Sequence, residues 1–248
     1  MDLQLKGKVA LVTGASAGLG RAIAQELAAE GCSLAILARR RPLLEALAAE
    51  LPGDPLIIAQ DVTAKDAGER VTEAMQARFG RCDILVNNAG ASRPQEGFGD
   101  DEAWMDAMEI NFHAGRRITH ALVPMMQAGG FGRIINLTGQ DEAWMINAAN
   151  APNGAVHIWS KALSRTLGRN GITVNCIPPG RIRSEQIDAR ILPTEEARRA
   201  WAEAQVPMGY IGEPRDLAVL ATFLASPLAH YITGQVIHVD GGTRRFPH

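Results

Sequence analysis

Thr13-Gly14-Ala15-Ser16-Ala17-Gly18-Leu19-Gly20 joins a short apolar run, Val9–Val12, to a helical pattern over Arg21–Glu30. Glycine lets a backbone turn tightly and come close to a ligand. A helix that begins directly after such a turn presents unpaired N–H groups and the positive end of its dipole to an anion. The order strand, glycine turn, helix therefore predicts a nucleotide phosphate site, with a tight turn that binds nothing as the alternative.

Size and charge are those of an ordinary globular protein. The chain has 248 residues, of which 46% are hydrophobic and 21% are charged, so it can bury a large core. Its formal net charge of -2 offers no basic surface for nucleic acid, and the basic run Arg39-Arg40-Arg41 is too short to form one. We therefore expect no nucleic-acid partner.

The cysteines and the apolar runs indicate the cellular compartment of the protein. Cys32, Cys82 and Cys176 are scattered without paired spacing, which favours buried thiols in a reducing compartment over a disulfide or a metal site. The sequence has no apolar run of about 18 residues, and its first residues lack the charged and apolar layout of a signal sequence. We expect a cytoplasmic protein with no bound metal and no membrane partner.

Apolar runs alternate with helical patterns along the whole chain. Runs such as Ala35-Ile36-Leu37 are apolar throughout, as in a parallel strand that is covered on both faces. Repeated strand–helix units predict a single α/β domain, a Rossmann-like, doubly wound parallel sheet of seven strands with helices on both faces. The predicted strands are Val9–Thr13, Ser33–Ala38, Leu56–Gln60, Ile84–Asn87, Arg133–Thr138, Thr173–Ile177 and Val236–Val239. The predicted helices lie near Arg21–Glu30, Pro42–Leu51, Ala64–Phe79, Asp101–Gln127, Asn153–Arg169, Glu195–Ala204 and Asp216–Ala225.

The residues after the second and third strands bear on the choice of nucleotide. An acidic side chain after the second strand would bind the ribose hydroxyls of NAD, whereas arginine suits the extra phosphate of NADP. Arg39 and Arg40 follow this strand and favour NADP(H), with NAD(H) as the alternative. Asp61 follows the third strand, and it either accepts from an adenine amino group or caps the helix that starts near Thr63; the two roles are compatible.

These tracts together resemble the classical short-chain dehydrogenase/reductase family. The resemblance extends from about Leu5 to Gly242, and the sequence looks closest to the 3-oxoacyl-[acyl-carrier-protein] reductase-like group. The matching motifs are Thr13-Gly14-x-x-x-Gly18-x-Gly20, Asp61-Val62, Asn87-Asn88-Ala89-Gly90, Asn111, Gly132-Arg133-Ile134-Ile135-Asn136, Val174-Asn175, Pro179-Gly180-x-Ile182-x-Ser184, Phe223–Ser226, Ile232–Gln235 and Asp240-Gly241-Gly242.

The resemblance implies a bound nicotinamide cofactor and self-association. It implies a homotetramer or homodimer that pairs the two long helices near Asp101–Gln127 and Asn153–Arg169. It also implies that Ile182 and Ser184 contact the nicotinamide carboxamide and that Lys161 bonds to the nicotinamide ribose. With Arg39, Arg40 and Asp61, which their positions after two strands already indicate, the candidate cofactor-binding residues are Gly14, Ser16, Gly18, Leu19, Gly20, Val62, Asn88, Ala89, Gly90, Lys161, Pro179, Gly180, Ile182 and Ser184.

The sequence departs from the family at two of four catalytic positions. The family moves a proton with Tyr, whose pKa a Lys lowers, while a Ser holds the substrate oxygen and an Asn anchors a water. Asn111 and Lys161 match this set, but His157 stands at the Tyr position and Gly139 at the Ser position. The chain has only two tyrosines, and neither is near this segment in the sequence.

Three interpretations of His157 remain open. It lies four residues before Lys161, so the two side chains share a helix face. In the first interpretation His157 is the acid/base, with an ordinary pKa of about 6.5 against about 10 for tyrosine. Lys161 and an oxidised nicotinamide would lower that pKa and favour a neutral base for alcohol oxidation. In the second the protein binds cofactor with little or no redox activity, and in the third His157 only fills space while substrate or water supplies the proton.

Further residues of this segment bear on how the substrate is held. Thr138 either supplies the missing hydroxyl or simply ends a strand, since a regular strand points it away from the face of residue 139. Gly139 and Gln140 border the same site, where the Gln140 amide is a candidate to hold a substrate carbonyl. Asp141 and Glu142 either orient the imidazole or are solvated.

The sequence predicts an NADP(H)-dependent oxidoreductase that interconverts a carbonyl and an alcohol, with 3-oxoacyl compounds as candidate substrates. Its catalytic candidates are His157, Lys161 and Asn111. Residues 183–212 are expected to form a lid over the substrate, as the same region does in the family. The alternative is a cofactor-binding protein with weak or no redox activity and a regulatory or assembly role.

Overall fold

The computed structural model describes residues 1–139, 142, 145–184, 187 and 192–246, and it contains one parallel sheet. Its strands are β1 (Val9–Thr13), β2 (Ser33–Ala38), β3 (Leu56–Ala59), β4 (Ile84–Asn87), β5 (Gly132–Leu137) and β6 (Ile172–Ile177). Their order across the sheet is β3-β2-β1-β4-β5-β6. The chain order reverses between β1 and β4, so a ligand is expected at the carboxyl ends of these two strands.

Helices cover both faces of the sheet. The described helices are α1 (Gly18–Ala29), α2 (Arg41–Glu50), α3 (Ala67–Phe79), α4 (Asp101–Met108), α5 (Ala114–Gly129), α6 (Asn150–Leu167), α7 (Glu195–Gln205) and α8 (Pro214–Ala225). None of them combines the length and the apolar character that crossing a membrane would require.

Two buried clusters form the core, one on each face. The first cluster joins α1, α2 and α8 through side chains such as Ile23, Leu44 and Leu217. The second joins α3, α5 and α6. Within β1, Val12 belongs to the first cluster and Leu11 to the second, because successive side chains of a strand point to opposite faces. The all-apolar strands of the sequence are therefore strands buried on both sides, as predicted.

The prediction of a seventh strand over Val236–Val239 is wrong. This segment lies parallel to the end of β6 and to the residues that follow it, and the Ile237 N–H donates to Cys176 O at 2.9 Å. The ladder then breaks, because Pro178 has no N–H to donate. It resumes when the Val239 N–H donates to Pro178 O at 3.1 Å, so the contact consists of isolated bridges and the described sheet has six strands.

The long helix predicted near Asp101–Gln127 is divided. A π-helical turn over Glu109–His113 separates α4 from α5. An extra residue in a helical turn changes which side chains face the sheet beyond it, and such turns are frequent at functional sites. The other predicted helices agree with the structure apart from a few residues at their ends.

Candidate active site

The glycine turn forms an open cradle between β1 and α1. The helix begins at Gly18, and Ala17 provides no side-chain cap, so the N–H groups of the first turn have no side-chain partner. Gly14 and Gly18 have φ angles of +65° and +55°, which other residues rarely adopt. Nothing from elsewhere in the described chain lies within 4 Å of the position of a Cβ on Gly18. The residues present therefore fit a bound phosphate.

Asn88 ties this cradle to the end of β4. Its Nδ2 donates to Thr13 O at 3.0 Å and to Gly14 O at 3.2 Å. The Thr13 hydroxyl in turn accepts from the backbone N–H groups of Asn88 and Ala89, at 3.0 and 3.1 Å. A Cβ on Gly14 or Gly20 would lie 2.7 or 2.4 Å from that Nδ2, so both positions require glycine.

Two guanidinium groups lie beside the cradle, at the end of β2. Arg40 Nη2 is 3.5 Å from Ser16 Oγ in the glycine turn. Arg39 Nη1 is 3.9 Å from Asp61 Oδ2, and the Arg39 side chain is 79% exposed, so a ligand can reach it. Asp61 Oδ1 accepts from the Thr63 N–H at 2.9 Å and from its hydroxyl at 2.8 Å, so Asp61 caps the turn after β3. The Thr63 N–H is the main reason that the pKa of Asp61 lies below its ordinary value.

Asn111 lies in the π-helical turn and fastens the loop after β4 to it. Its Nδ2 donates to Ala107 O at 3.0 Å and to Ala91 O at 3.1 Å, and its Oδ1 accepts from the Ala91 N–H at 2.9 Å. A Cβ on Gly90 would lie 2.9 Å from this Oδ1, so glycine permits the close approach. The matching asparagine therefore positions the backbone that borders the cofactor cleft.

His157 contacts a hydroxyl at the carboxyl end of β5. It lies on α6, where its Nε2 is 3.0 Å from Thr138 Oγ1. The Thr138 N–H still donates to Ile177 O of β6 at 3.3 Å, so the backbone follows the sheet while the hydroxyl reaches the helix. The structure thus gives the imidazole a hydroxyl partner, although Gly139 occupies the aligned Ser position.

Gly139 lies directly against the side chain of Asn153, which is not among the site residues predicted from the sequence. A Cβ at residue 139 would lie 2.4 Å from Nδ2 of Asn153, a residue of α6 that is only 7% exposed. Asn153 precedes His157 by four residues, so the helical spacing i, i+4 is the signal that points to it. The predicted neighbours Gln140 and Asp141 lie outside the described residues. Glu142 binds the C-terminal segment, because its Oε1 accepts two backbone N–H groups at 2.8 and 2.9 Å.

A buried polar network joins α6 to β5 and β6. Asn136 of β5 donates to Ser160 Oγ at 2.8 Å, and the Cys176 thiol donates to the same oxygen at 3.2 Å. Burial raises the pKa of Cys176 to about 11, so this thiol is a structural donor and not a nucleophile. The next residue of the helix, Lys161, donates from Nζ to Gly234 O at 3.3 Å. Asn136, an asparagine within an otherwise apolar strand, is the sequence feature that points to this network.

The Pro179-Gly180 turn leads from β6 toward the same edge of the sheet. A Cβ on Gly180 would lie 2.4 Å from Asp240 Cα, so glycine allows two backbones to meet there. Ile182 is buried, and Ser184 Oγ accepts a backbone N–H at 3.2 Å. Two other predicted cofactor residues serve the core, since Leu19 packs on the first cluster and Val62 is buried in the second.

The predicted lid, residues 183–212, is fastened at its base. The Arg183 N–H donates to Gly212 O at 2.8 Å, and the Gly212 N–H donates to Arg181 O at 3.1 Å. The structure describes 183, 184, 187 and 192–212 of this range, including α7. The Arg181 guanidinium stacks on Trp201 of α7, 4.8 Å from the ring centroid. Within the described residues, no group of three His, Cys, Asp or Glu side chains is placed to hold a metal ion.

Known proteins match this chain over almost its full length. The family model described as Enoyl-(Acyl carrier protein) reductase matches residues 14–244. The 3-oxoacyl-[acyl-carrier-protein] reductase FabG of Vibrio cholerae is 38% identical over 245 residues, which cover 97% of this chain and 98% of the relative.

Solved structures at more than 30% identity share the fold. L-sorbose reductase from Gluconobacter frateurii, complexed with NADPH and L-sorbose, aligns with a TM-score of 0.93 and 31% identity over 99% of this chain and 100% of that chain. RhlG of Pseudomonas aeruginosa, in an NADP active-site complex, aligns with a TM-score of 0.90 and 32% identity over 97% and 98%. With its glycine cradle and doubly wound sheet, the chain belongs to the short-chain dehydrogenase/reductase family of NAD(P)-dependent oxidoreductases.

Proposed function

We propose that the protein interconverts a carbonyl and an alcohol with NADP(H) and that His157 moves the proton. The observation that carries this proposal is the 3.0 Å contact between His157 Nε2 and the Thr138 hydroxyl. It supports an imidazole that is held in one orientation at the family's proton-transfer position, one helical turn from Lys161. Imidazole both accepts and donates a proton near neutral pH, as this position requires.

The preference for NADP(H) rests on the arginines that follow β2. Arg40 reaches the glycine turn, while Arg39 is largely exposed beside it. Guanidinium groups bind phosphate oxygens with charge-assisted hydrogen bonds, so this pair suits the 2′-phosphate that distinguishes NADP from NAD. The NADPH and NADP complexes of the two related structures support the same choice.

Each residue of the site has a separate task in this proposal. When bound, the nicotinamide supplies or accepts the hydride. The glycine turn and the first N–H groups of α1 hold the diphosphate, and Lys161 binds the nicotinamide ribose. In the reduction, the Thr138 hydroxyl donates its proton to the substrate oxygen and accepts one from protonated His157. In the oxidation both transfers reverse, so Thr138 ends each turnover with its own proton restored.

The substrate class follows from the relatives, and so it is part of the proposal. FabG of Vibrio cholerae is a 3-oxoacyl-[acyl-carrier-protein] reductase by name, and the sorbose reductase was solved with a ketose. We propose a ketone substrate, enclosed by residues 183–212 as a lid. The hydrogen bonds of Gly212 with Arg181 and Arg183 hold the two ends of this range together.

We also propose that α5 and α6 form the contact between subunits of a homodimer or homotetramer. Trp159 packs edge-on against Phe112 at 5.9 Å between ring centroids and lies 6.0 Å from the His120 ring, which joins the two helices into one surface. Beside it Ile158 is 76% exposed, a large apolar side chain that a partner subunit would bury. Light scattering in solution tests this assembly.

The experiment for the proposed function is a titration with NADPH and NADH, followed by NADPH oxidation at 340 nm with a panel of ketones. The panel contains 3-oxoacyl thioesters, ketoses and simple cyclic ketones. Tighter binding of NADPH together with reduction of a panel ketone is the expected result. Binding of NADPH without turnover of any ketone would instead support the non-redox, cofactor-binding alternative.

A further inference from the structure

Asn153 carries an amide that the family mechanism does not use. The residue is 7% exposed and lies on α6, one turn before His157. No side chain or backbone group of the described residues forms a hydrogen bond with its carboxamide. An amide offers two N–H donors and an acceptor oxygen, so this side chain can form a hydrogen bond with a ligand beside the proposed acid/base.

The amide occupies the place where the family's serine side chain would begin. A Cβ at residue 139 would lie 2.4 Å from Asn153 Nδ2, 3.4 Å from its Cγ and 3.9 Å from its Oδ1. No real Cβ approaches another atom at 2.4 Å, so a serine at 139 and this position of Asn153 exclude each other. The position of the Asn153 side chain therefore requires a residue without a Cβ at 139, and Gly139 meets this requirement.

Three polar side chains share one face of α6. Asn153, His157 and Lys161 follow each other at intervals of four residues, which places them on one face of α6. Thr138 reaches the middle of this row, and Gly139 meets its first member. A substrate oxygen near the Thr138 hydroxyl would therefore lie beside Asn153 Nδ2.

We propose that Asn153 Nδ2–H donates a hydrogen bond to the substrate oxygen and so replaces the absent serine hydroxyl. This inference rests on the proposed function. The bond strengthens as negative charge develops on that oxygen during reduction, because a fixed donor in a site shielded from water stabilises charge without rearrangement. The amide gives up no proton, so Asn153 holds the oxygen while Thr138 and His157 deliver the proton to it.

The direct test compares kcat/KM for ketone reduction by the parent protein and by Asn153→Ala and Asn153→Asp. We expect both variants to lose about 10²–10³-fold, the usual effect of removing one oxyanion donor. The aspartate is nearly isosteric, but its carboxylate only accepts hydrogen bonds. NADPH affinity is expected to stay within about twofold, because the phosphate cradle is built from other elements. Asn170→Ala, which removes an amide in the 3-10 turn that follows α6, is the matched control.

A second readout needs neither cofactor nor turnover. Gly139→Ser is expected to lower the melting temperature in the parent background, because the new Cβ collides with Asn153 Nδ2. In the Asn153→Ala background the same substitution is expected to be tolerated, since the colliding atoms are gone. The double variant Gly139→Ser/Asn153→Ala is further expected to regain activity relative to Asn153→Ala alone, since it restores a hydroxyl donor.

The outcomes separate this inference from the proposed function. An active parent protein whose Asn153→Ala variant keeps its kcat/KM within threefold overturns the role of Asn153 and leaves the proposed function intact. Equal effects of Gly139→Ser on the melting temperature in both backgrounds overturn the steric exclusion. A parent protein that binds NADPH and reduces no ketone overturns the proposed function, and the role of Asn153 with it.

Discussion

Thr138 Oγ1 and His157 Nε2 lie 3.0 Å apart, and this contact joins the end of β5 to the helix that crosses it. A hydroxyl donates and accepts at once, so it can pass a proton to or from an imidazole without a net change of its own. In the proposed mechanism this hydroxyl–imidazole pair replaces the tyrosine that the family resemblance leads one to expect at this position.

Thr138→Val removes the hydroxyl and keeps the shape of the side chain. We expect kcat to fall by about 10²-fold or more, as when a general acid–base group is lost, with the NADPH dissociation constant unchanged. Steady-state kinetics with a panel ketone, together with NADPH titration, measure both quantities. Thr166→Val removes a hydroxyl that bonds to Ala162 O on the exposed side of α6, and it should leave both unchanged. Equal kinetics for Thr138→Val and the parent protein would exclude the relay.

We expect the choice between NADPH and NADH to depend on the charges after β2. Arg39→Asp is expected to weaken NADPH at least about tenfold and NADH much less, because a charge-assisted hydrogen bond contributes about 1.5–3 kcal/mol. Arg41→Asp is the control, because Arg41 Nη1 lies 3.7 Å from Glu45 on its own helix. Fluorescence titrations with both nucleotides measure the ratio. An equal loss for NADPH and NADH in Arg39→Asp would refute the assignment of this arginine to the 2′-phosphate.

The cradle depends on a glycine inside α1. Gly20→Ala would place a Cβ 2.4 Å from both Asn88 Nδ2 and Gly14 O, so Asn88 must release the turn. We expect a lower melting temperature and at least tenfold weaker NADPH binding, whereas Ala in an open helix ordinarily stabilises by about 0.5–1 kcal/mol. Gly129→Ala, which meets no atom within 4 Å, shows that ordinary effect. The prediction is wrong if the two variants bind NADPH equally well.

The cysteines are expected to be inert in the folded protein. Burial raises the pKa of Cys32 and Cys82 to about 12 and that of Cys176 to about 11. The reactive thiolate is therefore scarce at pH 8, and Ellman's reagent should label no cysteine until denaturant is added. Because the folded state retains protons that the unfolded state releases near pH 9, stability should fall as the pH rises from 9 to 11. Rapid labelling of the native protein at pH 8 would contradict this.

Much of the fold follows from short-range patterns. All-apolar strands require cover on both faces, and a glycine turn between a strand and a helix is the layout of a phosphate site, so the sheet and the cradle follow from the sequence. The seventh strand was overpredicted because its own residues are good strand formers. This segment does not extend the sheet as a regular strand because Pro178, in the segment that pairs with it, has no N–H to donate.

The catalytic details follow less well from the sequence, because they depend on contacts between distant segments. Helical spacing places Asn153 and His157 together, yet nothing in the pattern shows that Gly139 meets Asn153. The direction of the Thr138 hydroxyl depends on how the chain leaves β5, and an ideal strand predicts the opposite face. The π-helical turn at Asn111 also depends on contacts, because its side chain binds the loop at Ala91.

The central claim is that His157 transfers the proton, and His157→Phe tests it most directly. The measurement is kcat/KM for NADPH-dependent reduction of the best panel ketone, with the NADPH dissociation constant determined beside it. We predict a loss of about 10²–10⁴-fold in kcat/KM, the usual contribution of general acid–base catalysis, with NADPH affinity unchanged. Full activity in His157→Phe would contradict the account, because the phenyl ring keeps the bulk of the side chain and can transfer no proton.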